Sequence, residues 1–131
     1  MRIIPALAAA IVSLSACSQE QQNGAPLEVD WVIVAETIGS DQVMHVDRNS
    51  IRAAGDVRQY DVRMDYVNNP NGWKVAEGMW EDNCATGESR VLRTVVKFVD
   101  GRSFIDSNAS DLKKVPPNSM TAKAHDFVCG R

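Results

Sequence analysis

The sequence predicts an α+β domain: a six-stranded antiparallel β-sheet with a C-terminal helix packed against it and one disulfide. Three observations carry this expectation. Hydrophobic residues recur mostly with period two from Leu27 onward, turn residues divide these runs into three consecutive hairpins, and the last apolar residues, Met120, Ala124, Phe127 and Val128, switch to helical spacing.

Trp31–Ala35 and Gln42–Val46 are apolar, β-branched runs separated by Gly39, Ser40 and Asp41, and form the first hairpin. Asp47 then caps a single helical turn that tucks Ile51 inward and ends at Gly55, which is free to take a left-handed conformation. In Arg58–Tyr66, Tyr60, Val62, Met64 and Tyr66 share one face, while Gln59, Asp61, Arg63 and Asp65 share the other, the mark of a strand buried on one side only. Pro70 lacks a donor and Asn71-Gly72 favours positive φ, so the chain turns back into Trp73–Trp80. Arg90–Val99 is a long β-branched stretch, and Asp100-Gly101 forms a tight turn into Arg102–Asp106. Beyond Pro116-Pro117, Ser119 is the N-cap of the closing helix.

Residues 1–16 stand apart from this fold. They carry one charge, Arg2, an apolar run from Ile3 to Val12 and a small-residue end, the layout of a secretory signal and too short to span a bilayer. Leu14-Ser15-Ala16-Cys17 resembles the lipobox of bacterial lipoproteins, in which Cys17 becomes the lipidated N-terminus and the chain is held to a membrane by its acyl chains. Ser18 follows where an Asp would resemble an inner-membrane retention signal, which points to the outer membrane. Residues 17–26, with Gly24, Pro26 and no large apolar side chain, read as the lipidated cysteine and a flexible tether, and residues 27–131 as the domain.

With Cys17 consumed by lipid, Cys84 and Cys129 remain as an even pair in an oxidising compartment, for which a disulfide is the economical arrangement and two free thiols the alternative.

The composition excludes more chemistry than it suggests. The 131-residue chain carries a net charge of −3, so phosphate-binding clusters and a nucleic-acid partner are not expected. Residues 18–89 hold five Lys+Arg against thirteen Asp+Glu, whereas residues 90–131 hold eight against four; either the two halves simply solvate opposite strands, or a basic face is available to an acidic partner. His45 in a strand and His125 in the helix have no metal-ligand spacing around them, so neither a metal nor another cofactor is expected. Glu81, Asp82 and Glu88 flank Cys84 in what reads as a solvated polar loop. No catalytic residue, phosphate loop or nucleophile elbow is found. Trp73 and Trp80 differ in parity, so a regular strand sends them to opposite faces, and the outward one is the preferred contact with a protein partner.

Several pieces in order resemble one family across the domain: Trp31, Val46-Asp47-Arg48-Asn49-Ser50-Ile51, Val62-Arg63-Met64-Asp65-Tyr66, Asp82-Asn83-Cys84, Pro117-Asn118-Ser119 and Phe127-Val128-Cys129. The chain is similar in these to the surface-adhesin protein E family of small bacterial outer-membrane lipoproteins. The resemblance implies a six-stranded antiparallel sheet with a helix against it, a bond between Cys84 and Cys129, and binding to host proteins. Two classes of function follow: a surface-displayed, adhesin-like binding module, or a periplasm-facing accessory lipoprotein in envelope assembly or maintenance. The free edges of a small open sheet also allow a homodimer.

Overall fold

A computed structural model describes residues 27–39 and 41–131. The expected signal segment, Cys17 and the tether lie outside these residues. Strands β1 (Trp31–Glu36), β2 (Gln42–Asp47), β4 (Val57–Tyr66), β5 (Trp73–Asn83), β6 (Glu88–Phe98) and β7 (Ser103–Asp106) form one antiparallel path in the order β1-β2-β4-β5-β6-β7. These are the six strands expected from the sequence. Two short strands bring the sheet to eight: β3 (Arg52–Ala54) pairs with β4, and β8 (Lys113–Lys114) pairs with the start of β6.

The segment after β2 shows how local chemistry sets the chain's path. Asp47 Oδ1 accepts from Asn49 N at 3.0 Å and caps a 3-10 turn over Arg48–Ser50, and it also accepts from Asp30 N at 2.9 Å. The turn stops at Ile51, which is extended, and the chain passes into β3. Gly55, at φ +58, therefore closes the β3–β4 hairpin, not the helical turn as the sequence suggested. Helix α1 (Met120–Cys129) starts where Ser119 Oγ accepts from Ala122 N at 3.0 Å, and it ends at Gly130 in the left-handed region.

α1 packs over β1, β2 and β4 on one side of the sheet. The core lies between them: Met44 and Val46 of β2, Tyr60 and Val62 of β4, and Ala124 and Val128 of α1 are all buried. The register confirms the face sharing expected for β4, because Met64 and Val62 pair with Met44 and Val46. The ten-residue helix is too short to be stable in isolation, so its order comes from this packing and from the covalent link at its end.

Two irregularities decide which way the later side chains point. On β5, Trp73 pairs with Phe98 but Val75 pairs with Lys97, which leaves Lys74 as an extra residue; on β6, Leu92 is extra between the partners of Met79 and Trp80. Next to the second bulge the strands approach so closely that a Cβ on Gly78 would lie 2.5 Å from the Arg93 carbonyl oxygen. Gly78→Ala should therefore push β5 and β6 apart and lower stability by about 1–3 kcal/mol. That outweighs the ~0.5–1 kcal/mol by which a strand ordinarily prefers Ala to Gly. A fall in the urea midpoint is the expected reading; a rise would mean that the ladder absorbs the methyl group.

Candidate functional site

α1 covers β1, β2 and β4 and the Asp82 end of β5, and leaves the rest of that side of β5, β6 and β7 uncovered by the helix. Trp80 pairs with Tyr60 and so lies on the helix side; Ala76 and Gly78, opposite Met64 and Val62, lie there too. The extra residue Lys74 then shifts the alternation by one, and Trp73 returns to the same side. The expectation of opposite faces fails for this reason: parity counting assumes one residue per rung, and the bulge breaks that count. Both tryptophans are half-buried. The Trp73 ring meets Tyr66 edge-on at 5.5 Å between centroids, and the Trp80 ring meets Tyr60 at 6.3 Å, so neighbouring aromatics fix both rings in place.

Between and beyond them run two hollows that share Trp80 and Val91. One, of about 150 Å³, is floored by Trp73, Ala76, Gly78, Thr94 and Val96. The other, of about 260 Å³, lies under the segment 110–116 and is walled by Val115, Pro116 and Thr121. Phe104, opposite Val96 and 57% exposed, extends the apolar strip to the β7 edge. At the far end stand Lys113 and Lys114, with Asp111 beside them, whereas Arg90, paired with Glu81, points to the opposite side of the sheet. Lys114 Nζ donates to the Thr86 carbonyl, and Arg90 donates to Glu81 Oε1 at 2.7 Å. A hydrogen bond from Gln59 and the Arg90 guanidinium hold the Glu81 carboxyl below the usual carboxylate range, against a smaller opposing effect of burial. Part of the basic surplus of residues 90–131 is thus gathered at one mouth of an apolar groove.

The polar residues around Cys84 do not form a solvated loop. Glu81 and Asp82 lie within β5 and Glu88 opens β6, so only the turn between Asn83 and Glu88 remains outside the strands. Asp82 is 0% exposed: it shares the helix side with Trp80, and α1 and β6 close over it. Its Oδ1 accepts from Ser89 Oγ at 2.6 Å, and its Oδ2 lies 2.8 Å from His125 Nδ1. His125 is therefore a satisfied interior histidine, 4% exposed. The Tyr60 hydroxyl lies near Asp82 and Ser89 without meeting hydrogen-bond geometry to either. Burial first, and the Asp82 charge second, push its ionisation far above the usual phenol range. On the opposite side of the sheet, His45 Nδ1 lies 3.5 Å from Asp65 Oδ2. Among the described residues, no three His, Cys, Asp or Glu converge to hold a metal ion.

Cys84, just past β5, and Cys129, the last residue of α1, are joined at an S–S distance of 2.05 Å with their Cα atoms 5.6 Å apart. Arg131 donates to the Cys84 carbonyl at 2.7 Å beside this bond.

These features define a class of domain: an open-faced antiparallel sheet, half covered by one C-terminal helix that a disulfide ties to the end of its fifth strand. No protein-family model matches the chain, and no curated protein sequence is similar to it. Among solved structures the fold is similar to that of Haemophilus influenzae protein E. Crystal form II of that protein superposes with a TM-score of 0.56 at 14% identity, over 80% of this chain and 92% of the other. Its selenomethionine form gives the same score and identity over 80% and 91%. The chain has a protein E-like fold.

Proposed function

We propose that this protein is a lipid-anchored, non-catalytic protein-binding module of adhesin-like type, held at the bacterial outer membrane through Cys17, with Trp73 and Trp80 as its principal contacts. The observation that carries the reading is that both tryptophans, braced by tyrosines, lie on the helix side of the sheet, Trp80 at the edge of the core and Trp73 on the part that the helix leaves uncovered. Aromatic side chains held in place lose little entropy on binding and supply most of the energy at protein interfaces. The cationic mouth of the groove favours a partner with acidic residues beside an apolar segment. The protein E-like fold and the sequence resemblance to a surface-adhesin family support the same reading.

Protease shaving of intact cells tests the placement. Loss of the 27–131 domain, with a periplasmic control left uncut, supports surface display. Protection until lysis favours the accessory role inside the envelope, provided that the purified domain is itself cleavable. Trp73→Ala tests the contact in a panel of host matrix and serum proteins. Loss of an interface aromatic costs about 2 kcal/mol or more, so affinity should fall roughly 30-fold with the far-UV circular dichroism unchanged. If Trp73→Ala and Trp80→Ala both unfold the domain, the two residues act as core and the contact assignment is wrong.

A further inference from the structure

The half-exposed Cys84–Cys129 bond does more than end beside a helix, since one of its sulfurs meets an oriented imidazole. His125 and Cys129, four residues apart, lie on one face of α1, and His125 Nε2 is 3.7 Å from Cys129 Sγ. The other ring nitrogen, Nδ1, is held by the buried Asp82 carboxylate at 2.8 Å, and Ser89 Oγ fixes that carboxylate in turn. With Nδ1–H donated to Asp82, Nε2 is the nitrogen that faces the sulfur. The charged and titratable groups around the ring are Asp82 from β5, Tyr60 from β4 and Arg131 beyond the helix, the last bound to the Cys84 carbonyl.

The geometry points to a thiol–disulfide exchange site whose substrate is a dithiol, with Cys84 as the attacked sulfur and Cys129 as the leaving group. An incoming thiolate forms a bond to Cys84 Sγ. The Cys84–Cys129 bond breaks with its electron pair on Cys129 Sγ, which takes the proton from Nε2 of protonated His125. The second thiol of the dithiol, deprotonated to solvent, attacks the mixed disulfide at the substrate's sulfur and releases Cys84 as a thiolate. Two electrons pass from the dithiol to the protein, the dithiol becomes a disulfide, and each protein molecule reacts once. Cys129 lies at a helix C-terminus, whose partial negative charge opposes a thiolate. The positive charge that favours its departure must therefore come from a side chain, and His125 is the one in contact.

The test uses the oxidised full-length protein with dithiothreitol as the dithiol. The cleavage rate is divided by the dithiothreitol thiolate concentration at each pH, over a range in which circular dichroism is constant. His125→Gln should lower this normalised rate at least about tenfold at the acidic end of that range, because the proton donor is lost. Rapid acid quenching should find the mixed disulfide on Cys84. An unchanged normalised rate in folded His125→Gln, or an adduct on Cys129, would overturn the proposal and leave the bond as a clamp only. The sulfur that carries the adduct in the parent protein decides the matter even if His125→Gln folds poorly, and Asp82→Asn, which keeps the imidazole but weakens its anchor, should give an intermediate rate.

Discussion

Asp82→Ala should lower the unfolding free energy by about 2–6 kcal/mol, because two buried donors lose their acceptor at about 1–3 kcal/mol each. The alanine would leave the Nδ1 donor of His125 and the hydroxyl of Ser89 facing an interior from which water is excluded, since all three groups meet in the space between β5, β6 and α1. The contrast with surface pairs on the same sheet is the point of the comparison. Arg102 and Asp100 lie 2.7 Å apart in a turn, both well exposed, and loss of this ion pair should hardly change stability. Asp82→Asn should fall between the two, because an amide oxygen still accepts from His125 while its NH₂ donates to Ser89. Urea unfolding of the three variants checks the order. An Asp82→Ala midpoint no lower than that of Asp100→Ala would show that the interior pair contributes nothing.

Removal of the disulfide by the double substitution Cys84→Ala, Cys129→Ala should have an effect of similar size. The bond spans a sequence separation of 45 residues. Chain-entropy reasoning for a loop of that length gives about 4 kcal/mol, a large share of the roughly 5–15 kcal/mol that holds a domain of this kind. The loss should also be uneven. β4, β5 and β6 are long strands paired on both sides, whereas α1 is short, packs by one face and is tied down at its last residue. Amide exchange should therefore quicken first in Met120–Cys129, with the central strands the last to lose protection. Uniform loss of protection across sheet and helix would contradict this picture, because it would mean that the two order as one unit without the bond.

What the sequence revealed of this fold follows from periodicity. The six main strands, three of the turns and the N-cap at Ser119 each carry a repeating or position-specific signal, and the structure contains them. β3 and β8 have three and two residues, too few for any alternation to stand out. The faces of Trp73 and Trp80 were misjudged because the bulge at Lys74 adds a residue without adding a rung, and no residue type announces it. Asp82 was misjudged because a carboxylate next to Glu81 and Asn83 resembles a loop. A usable signal was nevertheless present. A Cys84–Cys129 bond requires Cys129 to face the sheet, and His125, one helical turn earlier, must then face it too and needs a buried partner. The groove itself is a tertiary result. It exists because α1 packs over β1, β2 and β4 and reaches β5 only at its Asp82 end, which no local pattern of residues encodes.

The central claim, that the open tryptophan face is where a partner sits, is tested most directly by photo-crosslinking in intact cells from two adjacent positions on β6. Thr94 lines the groove beside Gly78 and Trp80, whereas Val95 points to the other side of the sheet, near Trp31 and Met79. A photoreactive residue at Thr94 should give a discrete protein adduct that disappears with Trp73→Ala, while the same residue at Val95 gives none. An adduct from Val95 and none from Thr94 would place the partner on the opposite face and contradict the account.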